Sequence, residues 1–309
     1  MPKTNSRKNS DSPAIYASGK GRVVHDLSIF AKGEGVHTRK IDSKGYGSSY
    51  TLPMYHEGEF RGFIFFNASD KHIFDDETLH YLELFAHVLT LLISSELESM
   101  RTLAAAVRTV CDITQHRDNE TGTHLDRMSR YSRIIAQELA PKHNLDDEFI
   151  EQLFLFSPLH DIGKIAIPDE ILLKPGKLDA NEWQVMKTHA SKGREMIQTL
   201  LDNFGLDAVY RIEMLHNISE YHHEKMNGGG YPHGLKGDQI PLESRIVAVA
   251  DIFDALTSDR PYKEAWDNDR AFALLRKLAG DELDRECVDA LLNNRERIEK
   301  VQQKFSEHT

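Results

Sequence analysis

From about residue 101 to Thr309 the chain runs through one helix pattern after another and offers no convincing strand. THLDRMSRYSRIIAQELA, LDDEFIEQLFLFSPLHDIG, ANEWQVMKTHASKGREMIQTLL, LDAVYRIEMLHNISEYHHE, SRIVAVADIFDALTS and DRAFALLRKLA repeat apolar residues at three-and-four spacing. On a helix that spacing gathers the apolar side chains on one face, which must be buried against other helices. The expectation is a mostly α protein, all-helical over 101–309.

The preceding stretch reads differently. Met1 to Pro13 is polar and rich in Ser, Lys and Asn, the composition of a disordered tail. Residues 14–100 read as a small α/β module. YTLPMY, a turn at Glu57-Gly58-Glu59, and FRGFIFFN form a hairpin pattern. FDDETLHYLELFAHVLTLLISSELESMRTLAAAVRTV then reads as one long linking helix, with Asp75-Asp76 suited to its positive N-terminal end. Leu82, Phe85, Leu89 and Leu92 make an apolar seam on it. The seam has two readings, packing on the N-terminal module or pairing two chains as a parallel homodimer.

Bulk properties exclude some functions. A hydrophobic content of 40% and a charged content of 28% are those of a soluble globular protein. The longest apolar run, VLTLLI, is far below the ~20 residues of a membrane span, and the N-terminus has no apolar signal segment. Cys111 and Cys287 fit no paired pattern, which suits a reducing, cytoplasmic setting. A net charge of −11 argues against nucleic acid as a partner. A small phosphate ligand stays open if metals and a few cations reverse the local field.

The 16 histidines carry more information, because several stand beside acids. Glu120 and His124 in RDNETGTHLDR are four apart and share a helix face; alone, such a pair is most often a solvated face. His160 and Asp161 lie between apolar runs in LFLFSPLHDIGKIAIPD. A buried carboxylate there needs a hydrogen-bonded partner or a metal. Lys164 follows one turn later, and Gly163 is read as letting the helix end. Asp251 sits among Ile246, Val247, Val249, Ala250, Ile252 and Phe253, so its partner must come from elsewhere: a metal ion or a buried Arg or Lys. His189 in MKTHASKG and His222-His223 complete the set. Adjacent helical residues point ~100° apart, so His222 and His223 are expected to serve neighbouring ions, or one to orient the other's ligand. Imidazole and carboxylate without thiolate suit iron, manganese or zinc in open sites. The donors exceed one ion's capacity, and two neighbouring ions are the clamp used in phosphate-ester hydrolysis.

The stretch EYHHEKMNGGGYPHGL, Glu220 to Leu235, asks whether its histidines and glycines make a floppy loop or a docked one. The ordered motifs RDNETGTHLDR, HDIGK, MKTHA, HHEK, GYP, IPLESRIVAVAD and ALTSDRPYK, from about Arg101 to Leu292, resemble the HD-GYP family of HD phosphohydrolases. That resemblance implies an all-helical HD-type metal-binding bundle holding two or three iron or manganese ions. It implies hydrolysis of cyclic di-GMP to pGpG or onward to GMP. It implies metal ligands at Glu120, His124, His160, Asp161, His189, His222, His223 and Asp251. Catalytic roles fall on Asp161, Lys164 and Asp118, and substrate contacts on Arg260, Lys263, Gly230, Tyr231 and Pro232. A docked loop follows, with the GYP triplet as a surface for a partner such as a GGDEF-domain protein.

Two departures stand out. The family usually carries an acid where Asn227 stands, so any salt bridge from that position is lost, and Gly229 adds backbone freedom. The LPMYHEGEFRGFIFF hairpin faintly resembles the last part of a GAF sensory domain. The alternatives to an enzyme acting on cyclic di-GMP are a non-catalytic cyclic di-GMP receptor and, more remotely, a paired-iron oxygenase.

Overall fold

Among the described residues, strands occur only at the N-terminal end. β1 (Arg22–Val24), β2 (Ser48–His56) and β3 (Glu59–Ala68) form one antiparallel sheet in the order β1-β2-β3. The computed structural model describes residues 19–30, 45–115, 122–204, 211–259 and 264–305. The expected tail, Met1–Pro13, lies outside them. The chain divides into two compact units, Met1–Ser99 and Met100–Thr309.

In the first unit the hairpin turns on two residues, Glu57 at φ 49° and Gly58 at φ 80°. Two left-handed residues give the turn whose twist matches the flanking strands. Glu59, read as turn, therefore begins β3. The three-residue β1 was too short to show in the sequence. The long helix α1 (Asp76–Gln115) starts where the acids suggested, with the Asp75 carboxylate accepting the Thr78 N–H at 2.8 Å.

The seam on α1 is not one face. Leu82 and Leu89 are half-buried, whereas Phe85 and Leu92 are 56% and 62% exposed. The inward line runs through Glu83, Ala86, Thr90, Ser94 and Glu98. Tyr50 Oη on β2 donates to Glu83 at 2.8 Å, and Arg61 on β3 lies 3.6 Å from Glu98. Small residues on that line let helix and sheet approach closely, leaving Tyr81, Leu84, Phe85, Val88, Leu91 and Leu92 outward. Residues Asp76–Val107 are long and apolar enough to cross a membrane, by length and composition only. The contiguous run VLTLLI had concealed this, since the apolar residues are spread along the helix.

The second unit is helical, as its periodicity implied, and the protein as a whole is mostly α. It contains α2 (Gly122–His143), α3 (Asp147–Phe156), the short α4 (Asp169–Leu172), α5 (Ala180–Lys187), α6 (His189–Phe204), α7 (Glu213–Tyr221), α8 (Leu242–Thr257), α9 (Asn268–Leu278), α10 (Arg285–Leu292) and α11 (Arg295–Lys304). Ile246 to Ala250 and Phe253 of α8 are all buried. A helix apolar all round belongs at the centre of a bundle, and α8 packs on α2, α7, α9 and α10.

Two predicted helices are interrupted, and both interruptions carry histidines. LDDEFIEQLFLFSPLHDIG ends as an α-helix at Phe156, before Pro158. It continues as two 3-10 turns, Ser157–Leu159 and Ile162–Ala166, with His160-Asp161 between them. ANEWQVMKTHASKGREMIQTLL breaks at Thr188, which makes His189 the first residue of α6.

Candidate metal centre

The breaks explain how distant residues meet. α2 supplies His124, the joint between the 3-10 turns supplies His160 and Asp161, and the start of α6 supplies His189. The C-terminal end of α7 supplies His222 and His223, and α8 supplies Asp251. Gly163 has a different role from the expected helix stop. A Cβ there would overlap the backbone carbonyl of His189, so glycine allows the HD turn to lie directly on α6.

The donor atoms fall into two groups, each with all its atoms within 4.8 Å of one another: Asp161, His189, His222 and His223; and His124, His160 and Asp251. Asp161 joins the groups. Its Oδ2 is 3.2 Å from His160 Nε2, and its Oδ1 is 3.2 Å from His189 Nε2 and 3.6 Å from His222 Nε2. Asp251 Oδ1 lies 3.8 Å from His160 Nε2 and 3.9 Å from His124 Nε2. His222 and His223, expected to serve neighbouring ions or to divide into ligand and orienter, have donor atoms in one group and ring centroids 4.0 Å apart. α7 ends at Tyr221, and His222 is its C-cap.

Hydrogen bonding settles which nitrogen of each ring faces the centre. A backbone carbonyl can only accept, so a ring nitrogen bonded to one carries the proton. His160 Nδ1 donates to Ser157 O at 3.0 Å, His189 Nδ1 to Met186 O at 2.8 Å, and His222 Nδ1 to Ile218 O at 3.0 Å. His124 Nδ1 donates to the Asp254 carboxylate at 2.7 Å. All four rings therefore turn an Nε2 lone pair inward. The Nε2 atoms of His189 and His222 and the Oδ1 of Asp161 are buried without a hydrogen-bond partner. Lone pairs aimed at one another across about 3 Å in a buried space repel, and a cation between them removes the conflict. The donor set fits divalent metal.

Charge follows the same logic. Burial pushes the Asp161 carboxyl up, but Lys164, with Nζ 2.9 Å from Oδ2, and His160 outweigh it and hold it well below the usual carboxylate range. Burial, reinforced by neighbouring imidazoles, lowers both His222 and His223, keeping them in the neutral form that ligates.

The GYP loop is docked. Glu224 is buried, and its carboxylate accepts the backbone N–H of His233 at 2.7 Å and of Leu235 at 2.9 Å. Met226 N–H donates to Glu282 O at 3.0 Å. A Cβ on Gly230 would overlap the backbone of His223 to Lys225, so only glycine permits this crossing. Tyr231, joined to Pro232 by a cis peptide, rests its ring 4.7 Å from that of His223 and 6.2 Å from that of His189. Asn227 Oδ1 accepts the Gly229 N–H at 2.8 Å, while its amide nitrogen faces Asp281 Oδ1 at 3.3 Å. An acid at 227 would face another acid; asparagine suits the position.

Asp118, Glu120, Arg260 and Lys263 lie outside the described residues. Lys164, Gly230, Tyr231 and Pro232 border the donor groups, and the remaining predicted ligands are within them. Sequence reasoning missed Asp254. It is buried on α8, accepts from Arg127 Nε at 2.7 Å and Nη2 at 3.0 Å, and orients His124. The signal was a shared spacing: Asp254 is three residues after Asp251, as Arg127 is after His124. The buried cation once considered for Asp251 pairs with Asp254 instead.

Against known families, the model described as HD domain matches residues 97–287 of this chain. The chain belongs to the HD-domain family. Its His160-Asp161 pair and its Gly230-Tyr231-Pro232 triplet place it in the HD-GYP branch. An HD domain implies divalent metal, in keeping with the two donor groups. The cyclic di-GMP phosphodiesterase response regulator RpfG of Xanthomonas campestris pv. campestris is 44% identical over 68% of this chain and 51% of its own length. A probable cyclic di-GMP phosphodiesterase of Vibrio cholerae is 39% identical over 69% of this chain and 49% of its own. The 3′3′-cGAMP-specific phosphodiesterase 2 of the same organism is 37% identical over 61% of this chain and 34% of its own. The chain thus spans about half the length, or less, of these relatives.

Proposed function

We propose that this HD-GYP protein is a metal-dependent phosphodiesterase that hydrolyses cyclic di-GMP to pGpG, with GMP as a further product. The observation that carries the reading is the inward turn of four imidazole Nε2 atoms onto Asp161 and Asp251, with each Nδ1 committed elsewhere. Ions held there would neutralise charge on the phosphoryl oxygens and acidify the attacking water. Two such ions, iron or manganese, suit the two donor groups, and Glu120 is assigned as a further ligand to these or to a third ion. Asp161, whose Oδ1 faces His189 and His222 and whose Oδ2 faces His160 of the other group, would be the carboxylate common to both ions. Lys164, oriented by Asp161, offsets negative charge on the phosphate or leaving oxygen, and Asp118 is assigned a catalytic role by the resemblance. Arg260 and Lys263 bind substrate phosphate or guanine, and Gly230, Tyr231 and Pro232 form the wall nearest His223.

The cyclic di-GMP assignment is supported by the names of the relatives with 44% and 39% identity; the cGAMP-specific relative makes the mixed dinucleotide the competing substrate. Cytoplasmic action without nucleic-acid or membrane contact belongs to the same reading; the net charge of −11 supports its nucleic-acid part, while the length and composition of Asp76–Val107 weigh against its membrane part. The exposed loop edge at Asn227 and Gly229 is the surface offered to a GGDEF-domain partner. The outward apolar face of α1 is assigned to a homodimer, which a Phe85→Glu variant should dissociate in sedimentation.

The test is anaerobic incubation of iron- or manganese-loaded protein with cyclic di-GMP and, separately, cGAMP, followed by chromatography. pGpG should form from cyclic di-GMP and be absent with Asp161→Ala. Intact cyclic di-GMP despite confirmed metal loading and measured binding would overturn the proposal.

A further inference from the structure

Beside the metal centre stands an aromatic side chain that the reaction, as described so far, does not use. Trp183 is on α5, 46% exposed. α5 opens on a reciprocal cap: Asp179 accepts the N–H of Asn181 and Glu182, and Glu182 returns a bond to the Asp179 N–H. Its other end leads through Thr188 into His189. Trp183 and Lys187 are four residues apart and share a helix face. Both reach the same ring: the Trp183 and Tyr231 centroids are 6.3 Å apart at 80°, and Lys187 Nζ lies 5.9 Å from the Tyr231 centroid. Tyr231 in turn contacts His223 and His189. A half-buried phenol, a cation and an open indole thus stand in sequence outward from the phosphodiester site.

We propose that Trp183 is the stacking platform for a nucleobase of the substrate, with Lys187 meeting the adjoining phosphate or base edge. The inference rests on the proposed phosphodiesterase reading. A flat π-surface with only two side-chain torsions takes a base face at little cost in conformational entropy, and such stacking tolerates any base. It accordingly recognises a nucleotide without choosing between guanine and adenine. The subsite belongs to the base attached to the sugar next to the bound phosphate.

The test uses two probes with the same sugar and phosphate, GMP and ribose 5-phosphate, titrated calorimetrically into manganese-loaded full-length protein. GMP should bind about 5- to 150-fold more tightly, the range for one stacked base. Trp183→Ala should collapse that ratio towards one while leaving ribose 5-phosphate affinity intact, and Trp183→Phe should restore most of it. In a Trp266→Phe background Trp183 is the sole tryptophan, and GMP, but not ribose 5-phosphate, should quench its fluorescence. With cyclic di-GMP, Trp183→Ala should raise KM far more than it lowers kcat. An unchanged GMP preference in Trp183→Ala, with metal content and circular dichroism normal, would overturn the platform. Dinucleotide cleavage with an unchanged ratio sinks this inference alone. GMP-specific quenching without any cleavage sinks the phosphodiesterase reading and leaves the platform standing.

Discussion

Asp254→Asn is the most informative single perturbation of this protein. The carboxylate is buried and accepts from His124, from Arg127 twice, and from Ser258 at 3.0 Å. The amide keeps the shape but removes the charge that neutralises Arg127, whose side chain is 7% exposed. Breaking one partner of a buried pair costs about 3–5 kcal/mol. Arg127 retains Phe305 O at 3.0 Å and Ser258 Oγ at 2.7 Å, so the lower end applies, about 3 kcal/mol or roughly a hundredfold in the folded-to-unfolded ratio. The amide also offers His124 Nδ1 a donor or acceptor where a carboxylate held the proton in place. Losing such an orienting partner lowers metal affinity about 10–100-fold. Urea unfolding of metal-free protein gives the first quantity and titration against a chromophoric chelator the second. A stability loss below about 1 kcal/mol, or unchanged metal affinity in a folded variant, would refute the reasoning. The pair also predicts a pH window. Burial raises the Asp254 pKa, but bonds from His124 and Arg127 lower it more. Its contribution is therefore complete above the unfolded value of about 3.9 and is lost only as pH falls through the lower folded value.

Other outcomes follow from the loop and the core. Glu224→Gln replaces one acceptor oxygen with a donor facing a backbone N–H; it should cost about 1.5–3 kcal/mol, read as faster amide exchange at His233 and Leu235. Asn227→Asp brings a second acid against Asp281. It should lower stability by up to about 1 kcal/mol at low salt, and Asp281→Asn in the same chain should return it in urea titrations. Burial, with Asp284 adding to it, pushes the Cys287 thiol well above its usual range. Iodoacetamide at pH 8 should leave Cys287 unlabelled in native protein and label it in urea, as peptide mass spectrometry would show.

Much of the site was legible because its chemistry is written in residue types. Histidines next to acids inside apolar runs, such as His160-Asp161, announce polar groups that need a partner under burial, and Asp251 did so alone on α8. Less legible were features set by where helices stop. The breaks at Phe156, Thr188 and Tyr221 place His160, His189 and His222-His223, and each looked like helix continuation in its periodicity. The α1 seam misled for a related reason. Three-and-four spacing identifies a helix but does not say which of its apolar lines faces the sheet.

The sequence by itself determined the helical character of the described residues after 101, the hairpin, the Asp75 cap that opens α1 at Asp76, and the identity of the inward imidazoles and carboxylates. These depend on neighbours a few residues apart, through helix period, capping and turn preference. The tertiary structure alone decided which ring nitrogen faces the centre, that His222 and His223 share one group, and that Arg127 and His124 both meet Asp254 across about 130 positions of chain. It also decided why residue 163 is glycine: the limit is the carbonyl of His189 from another element. Such contacts are selected by packing, and packing between distant segments leaves no period in the sequence to be read.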